Sequence, residues 1–436
     1  MESLSSEERR GCLLNSLPRI LPSRPLRGEP YLTDATLREG QQAWRPFSEA
    51  EALRVYEALA ELNGGGRAIR YTEVFVYSEK DRRLARRLLE AGYEYPRVRG
   101  WIRATKQDVR LLAESGLEET VVLTSISDYH IHFKLGVNRE EALESYLEAV
   151  EEAYRRGVVV ECALEDVTRA DPRLVREFLE RLVRLAERYG VEPKARLSDT
   201  LGLGLPFREA ELPRSVPRLV ELALDAGLKP ENLGFHGHND FGLATANHLA
   251  AWLSGAMEAN CTLLGVGERT GNCPLELMLL HYVSLTGNSA NLRAVTRAAQ
   301  LLAGMGWRIP ENQPLVGAKA FTQKSGIHID GLLKNPLVYL PMDVEEVLGR
   351  SFEVEITPYS GRAGILYWLR SRLGVTLDKS HPGVERAAAL MREVFNGRES
   401  LTDEELASIV ASAIPELASV ICSKLGSSTL QQCSSR

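Results

Sequence analysis

From residue 31 to about residue 266 the chain alternates between two hydrophobic rhythms. Short β-prone apolar runs at residues 31–37, 71–76, 98–104, 120–125, 158–164, 195–199, 233–238 and 261–266 read as strands. Between them, segments such as 49–62, 139–156, 172–189 and 244–257 space their apolar residues along one face of a helix. Eight such units over roughly 250 residues predict an α/β fold, a (β/α)8 or TIM barrel. A doubly wound open sheet shares the alternation, but the Gly-x-Gly-x-x-Gly turn of its dinucleotide-binding form does not follow the first strand.

Beyond about residue 290 the pattern becomes mainly helical (292–304, 318–333), with a strand-like 352–356 and further helices to about residue 423. Thr402-Asp-Glu-Glu405 is a capping box expected to open the last long helix. The expected organisation is an N-terminal arm (1–30, rich in Ser, Pro and Arg), a barrel (31–290), a helical linker subdomain (291–345), a small C-terminal subdomain (346–425) and a Ser/Gln-rich tail (426–436).

Composition narrows the classes. Of 436 residues, 44% are hydrophobic and 26% charged, the balance of an ordinary globular protein. A net charge of −6 argues against nucleic-acid or membrane-surface partners. Six scattered cysteines without a C-x-x-C pair exclude a zinc finger and fit a reducing cytoplasm. No apolar run reaches membrane-spanning length, so a cytosolic protein is expected.

Barrel enzymes place their chemistry at the C-terminal ends of the strands. There, Asp34, Thr36 and Arg38 read as one face of strand 1. His236 and His238 share one side of strand 7, and strand 8 runs into Gly265-Val-Gly-Glu-Arg-Thr-Gly-Asn272. An Asp, two His and an Asn carbonyl suit Mn²⁺, Mg²⁺, Co²⁺ or Zn²⁺, with positions left for a bidentate substrate. A His-x-His pair by itself also reads as a satisfied core pair.

Leu32-Thr-Asp-Ala-Thr-Leu-Arg-Glu-Gly-Gln41, His236-Gly-His-Asn-Asp240 and the Gly265–Asn272 loop, in this order, resemble the DRE-TIM metallolyase superfamily over residues 31–345. Within it the chain is similar to the Claisen-condensing acyltransferases: the isopropylmalate, homocitrate, citramalate and Re-citrate synthases. Ala35 and Glu39 stand where the family usually has Thr or Ser and Asp. The resemblance implies transfer of an acetyl group from acetyl-CoA to a 2-oxo acid, a divalent metal (Mn²⁺ foremost), and a homodimer. It further implies metal ligation by Asp34, His236, His238 and Asn272, and Arg38 beside the ketone oxygen. Thr200 would hold the 1-carboxylate, Gln41 belongs to the substrate-binding motif, and Glu268 would border the acyl-CoA. His328, in Lys324-Ser-Gly-Ile-His-Ile-Asp-Gly331, would be the base and His130 a second active-site histidine, while Arg103 and Arg169 suit an anionic substrate.

The acid itself is read from alternation and from finer resemblance. Arg196 stands four residues before Thr200 and points into the barrel, where a guanidinium needs an anion. That anion is the distal carboxylate of a dicarboxylic 2-oxo acid, or else Glu161 of the neighbouring strand. Stretches 100–104, 127–130, 165–171 and 212–217 resemble Re-citrate synthases, so oxaloacetate is the expected acid and citrate the product. Isopropylmalate or homocitrate synthesis is the alternative, and a non-catalytic metal-binding barrel is the alternative of another class. Lyases of the superfamily carry a Cys in the glycine loop, which Gly265–Asn272 lacks. The chain stops soon after the helical subdomain, so leucine feedback is not expected.

Overall fold

Eight parallel strands close on themselves in sequence order: β1 (Tyr31–Asp34), β2 (Ile69–Phe75), β3 (Arg97–Arg103), β4 (Glu119–Ser125), β5 (Val159–Glu165), β6 (Lys194–Asp199), β7 (Leu233–Gly237) and β8 (Glu258–Cys261). Closure is made by β1 against β8, with Tyr31 opposite Glu258 and Asp34 opposite Cys261. This computed structural model describes residues 17–395 and 399–425; the first part of the expected arm and the whole expected tail lie outside the described residues.

The helices around the barrel follow the apolar stripes. Pro172–Tyr189 is opened by Asp171, whose side chain accepts the Arg173 N–H, and is closed by Gly190 at a left-handed φ of 64°. Its buried stripe, Leu174, Val175, Phe178, Leu179 and Leu182, packs towards the barrel wall. Each such side chain contributes on the order of 1.5–3 kcal/mol by leaving water.

Two strand readings need correction. Strand 1 ends at Asp34, because the Asp34 carboxylate accepts the Thr36 N–H (3.1 Å) and the Thr36 hydroxyl and turns the chain into the helix Thr36–Ala43. Thr36 and Arg38 therefore lie on a helix and not on a strand face. Strand 8 is Glu258–Cys261, upstream of the expected 261–266. Its barrel-facing residues Glu258 and Asn260 are polar and carry no hydrophobic signal, while Leu263 and Leu264 form a 3₁₀ turn.

The inside of the barrel is charged. Glu73, Arg99, Glu161, Arg196 and Glu258 are each no more than 2% exposed. Arg99 and Arg196 both reach Glu73, Glu161 and Glu258 at 2.5–3.1 Å. Gly234 on β7 leaves room for this layer: a Cβ there would lie 3.1 Å from Glu161 Oε1 and 3.2 Å from Glu258 Cβ.

The barrel belongs to a unit spanning Arg19–Ile309, and a second unit begins at Pro310. In the second unit a two-stranded parallel sheet pairs β9 (Thr322–Gln323) with β10 (Glu353–Val354). The stretch expected as one helix over 318–333 instead contributes β9 and then the helix Gly326–Lys334. The core of this unit gathers Ile365, Trp368, Leu369, Val384, Met391 and Val410. The expected capping box is formed at Thr402, which accepts the Glu405 N–H at the start of Asp403–Ala413. Thr402→Ala should destabilise this unit by about 1 kcal/mol, read as a lower urea midpoint at unchanged slope.

Candidate active site

A cavity of about 700 Å³ opens at the C-terminal ends of the barrel strands. At its base His236 and His238 turn their Nε2 atoms to within 3.4 Å of each other. His236 Nδ1 meets Asn260 Oδ1 at 2.7 Å, which fixes its ring. The Glu39 carboxylate completes a group whose ligand atoms all lie within 4.8 Å of one another. Asn272 is brought alongside by a backbone bridge to His238. Its Nδ2 donates to Val266 O (2.9 Å), and its buried Oδ1 has no partner. Gly267 makes this possible, since a Cβ there would sit 2.2 Å from Asn272 Nδ2.

The electrostatics suit a cation. Burial, followed by the neighbouring His238, Arg38 and Arg196, pushes His236 well below the ordinary histidine range, and burial likewise lowers His238. Both rings are thereby kept neutral, the state in which imidazole donates to a metal. Two imidazole nitrogens, a carboxylate and an orphaned amide oxygen fit a divalent ion of the Mn²⁺, Mg²⁺, Co²⁺ or Zn²⁺ kind. A second group, His248 with Cys261 and Cys273, is different. Both ring nitrogens of His248 meet backbone carbonyls, Ala244 O at 2.7 Å and Asn260 O at 3.1 Å, so both donate and neither keeps a lone pair.

Asp34 is not a member of the His236–His238 group. Its oxygens are taken by the Thr36 N–H, the Thr36 hydroxyl and the Thr72 hydroxyl (2.9 Å), and burial pushes its carboxyl up to about 7 against those hydrogen bonds. The carboxylate grouped with the histidines is Glu39, on the helix that Asp34 starts. Arg38 lies beside it: Nη1 donates to Glu39 at 2.5 Å, Nε donates to Glu73 at 2.9 Å, and the guanidinium lies over Trp101. Gln42, one helical turn after Arg38, lines the cavity; Gln41 does not.

These features meet a family pattern. The HMGL-like family model matches residues 29–302. The chain belongs to the HMGL-like family. Residues 315–394 of this HMGL-like chain match the model described as homocitrate synthase post-HMGL domain-like. Among curated relatives it is 40% identical to the citrate (Re)-synthase of Syntrophus aciditrophicus, over 92% of this chain and 65% of that protein. It is 38% identical to the citrate (Re)-synthase of Clostridium kluyveri, over 89% of this chain and 88% of that protein. It is 39% identical to the 2-phosphinomethylmalate synthase of Streptomyces hygroscopicus, over 88% and 90% of the two chains. The chain thus spans just under two thirds of the Syntrophus protein.

The remaining expected residues of this HMGL-like chain divide. Thr200, Arg103, Glu268 and Arg196 line the cavity. Thr200 Oγ1 accepts the Asp166 N–H at 2.8 Å, and Glu268 is exposed. Arg103 is held on two nitrogens by Asp108, at 2.8 and 3.0 Å. Arg196 does ion-pair with Glu161 at 2.7 Å, the structural option open from sequence. Arg169 is not at the cavity wall: Asp166 grips its Nε and Nη2, and its guanidinium lies over Tyr129. His130 is also set back, on the π-helical turn Tyr129–Leu135, with Nδ1 2.9 Å from Glu165. His328 lies in the second unit, stacked on Tyr339 at 4.1 Å, with Nδ1 2.9 Å from Gln323 Oε1.

Sequence reasoning passed over Glu39, Gln42, Glu73, Lys134, Glu165 and Asn260. Glu165 ends β5 on the inward side, a position the strand-end rule singles out. Burial raises its carboxyl, but hydrogen bonds from His130, Lys134 and Ser125 outweigh it and hold it at about 2. Because that lies below the ordinary 4.5, the stabilisation from its ionisation is complete above pH 4.5 and is lost as the pH falls towards about 2. Unfolding measured across that window should therefore show a shallower acid dependence in Glu165→Gln than in the native chain. For the metal, Glu39→Ala should weaken Mn²⁺ binding by more than about tenfold, and Asp34→Asn by less than Glu39→Ala, as followed by Mn²⁺ EPR titration. A larger loss in Asp34→Asn would return Asp34 to the ligand set.

Proposed function

We propose that the protein is a metal-dependent acyltransferase that condenses acetyl-CoA with oxaloacetate to give citrate and CoA, working as a cytoplasmic homodimer. The observation that carries this reading is the Glu39, His236, His238 group, with the free Asn272 oxygen and Arg38 beside it, at the base of one cavity. It stands in a chain 40% and 38% identical to two proteins named citrate (Re)-synthase. The 39% identity to a 2-phosphinomethylmalate synthase favours a second reading, in which the product is a phosphinomethylmalate.

Glu39, His236, His238 and Asn272 would hold the divalent ion, with Mn²⁺ first among the candidates, and the ion would supply Lewis-acid polarisation of a ketone bound beside it. Arg38, pinned by Glu73 and Glu39, presents a fixed positive charge to the ketone oxygen as that oxygen becomes negative. Thr200 offers a hydroxyl to the 1-carboxylate. Glu268, on the exposed loop, borders the acyl-CoA, and Arg103 adds positive potential at the rim. Arg169 and His130 act from behind by holding Asp166 and Glu165.

The base in this reading is His328. A Gln323 Oε1 acceptor at Nδ1 places the ring proton there and leaves Nε2 with its lone pair. A methyl proton of acetyl-CoA passes to Nε2, the resulting carbon attacks the ketone carbon, and the ketone oxygen takes up a proton to become the tertiary hydroxyl. Water then cleaves the thioester, releasing the new carboxylate and the CoA thiol.

Protein supplied with Mn²⁺ and acetyl-CoA should release free thiol with oxaloacetate, and much less with 2-oxoisovalerate, 2-oxoglutarate or pyruvate. Equal or faster release with 2-oxoisovalerate would sink the citrate assignment, and no release with any 2-oxo acid would sink the synthase reading. Arg38→Gln should lower kcat by about 10²–10³ while Mn²⁺ affinity moves by only a few-fold.

A further inference from the structure

We infer that Arg269 is a positioning residue of the active site: held in a strained backbone conformation on the loop after β8, it clasps the ends of β6 and β7 and so sets Asn272 relative to Thr200. This rests on the proposed roles of those two residues, Asn272 towards the divalent ion and Thr200 towards the 1-carboxylate, and names what keeps them in register.

Backbone conformation gives the first argument. Among the described residues, four positions other than glycine have a positive φ: Asp166, Leu264, Arg269 and Leu315. Of these four, only Arg269, at 55°, lines the cavity. It stands second in a turn that the Gly271 N–H closes onto Glu268 O at 2.9 Å, a place where a positive φ ordinarily selects glycine. Glycine is used on both sides of it, at 265, 267 and 271, yet an arginine fills the strained position. A side chain persists in the left-handed region only where its surroundings over-determine it, and such positions gather at binding and catalytic sites.

The head group supplies that determination. Nε donates to Asp240 Oδ1 at 2.8 Å and Nη2 to Asp240 Oδ2 at 2.9 Å, a two-point grip that fixes the plane of the guanidinium as well as its distance. Nη2 also donates to the Thr200 carbonyl at 2.6 Å. Asp240 is a firm anchor. It lies two residues beyond His238, and its backbone is packed on the turn after β6, where a Cβ on Gly202 would sit 2.8 Å from Asp240 N. Thr200 follows β6 directly, and its hydroxyl is held by the Asp166 N–H. The loop's backbone ties, Asn239 N–H to Gly271 O at 2.9 Å and the bridge between His238 and Asn272, run to β7. Arg269 extends them to β6.

Asn272 lies three residues after Arg269, on a loop whose glycines leave it little stiffness of its own. A substrate that must meet the ion and Thr200 together needs both held to within about 0.5 Å of the productive geometry. Lysine could not take over the clasp, because a point charge lacks the planar fork that meets Asp240 on two atoms and Thr200 on the same face. Glycine at this position would remove the clasp and relieve the backbone at once. Stability and site geometry should therefore respond differently to the same substitution, which they would not if Arg269 merely maintained the fold.

The test compares the native full chain with Arg269→Gly and Arg269→Lys. In metal-free protein, hydrogen exchange at the Gly271 and Asn272 amides should quicken at least about tenfold in Arg269→Gly, with exchange in the barrel strands unchanged. The melting temperature should stay within about 3 °C of native. Mn²⁺ affinity, followed by EPR titration, should fall at least about fivefold. At saturating Mn²⁺ the KM for oxaloacetate should remain raised at least about fivefold, with kcat changed less. Arg269→Lys should move each readout in the same direction by less, and it decides the matter by the same measurements if Arg269→Gly does not fold. Native loop exchange and native Mn²⁺ affinity in the folded variants overturn the clasp. A larger fall in melting temperature with exchange quickened throughout the barrel makes Arg269 a residue of the fold and overturns it too. A native chain that condenses no 2-oxo acid overturns the condensation alone, because the exchange and Mn²⁺ readouts judge the clasp without a substrate.

Discussion

The Glu73 carboxylate is where the active-site geometry and the barrel interior are tied together. One oxygen receives Arg38 Nε, and the other receives Arg99, Arg196 and the Asn260 amide. Asn260 in turn holds the ring of His236. Arg38, the interior arginines and one histidine of the His236–His238 pair are thus all referred to a single side chain that is 0% exposed. Burial works against its ionisation, but Arg196, Arg38 and Arg99 more than offset this and hold its carboxyl below the usual range. A buried carboxylate with this many donors has no freedom to rotate, and groups fixed to it are fixed to one another.

The second determinant is local. By accepting the Thr36 N–H, Asp34 switches the chain from strand to helix within two residues, and Thr36 accepts the Leu263 N–H at 2.8 Å in return. The helix start is thereby bound to the loop after β8. Arg38 and Glu39 are neighbours on this helix and Gln42 lies one turn after Arg38, so their relative placement is set by a helix of eight residues and not by a flexible loop.

The parts of this architecture readable from sequence are those with a period. The eight strand–helix units, the shared side of His236 and His238, and the inward aim of Arg196 and Thr200 all follow from counting by two or by 3.6. Glu39 was hidden because reading β1 onward to residue 37 put Asp34 and Arg38 on one face, and only the Asp34 hydrogen bonds reveal the turn. β8 was hidden because Glu258 and Asn260 face inward where apolar residues were sought. The pairing of Arg196 could be narrowed to two anions but not resolved, because five of the barrel's strands supply the charged layer and no local pattern links them. Arg169 and Gln41 lie off the cavity wall for a simpler reason: neighbouring residues in a motif need not share a wall of the cavity.

A barrel whose inside is filled by guanidinium and carboxylate groups responds to substitution unlike one filled by branched aliphatic side chains. Its inner layer has little apolar surface to lose, so its tolerance follows stoichiometry of charge more than volume. Neutralising a single member strands its partners in a medium that cannot solvate them, whereas a compensated exchange, one acid and one base altered together, keeps the sum intact. Change at these positions is therefore expected to come in pairs spread across distant strands, leaving in related sequences a trace of linked acidic and basic positions far apart along the chain.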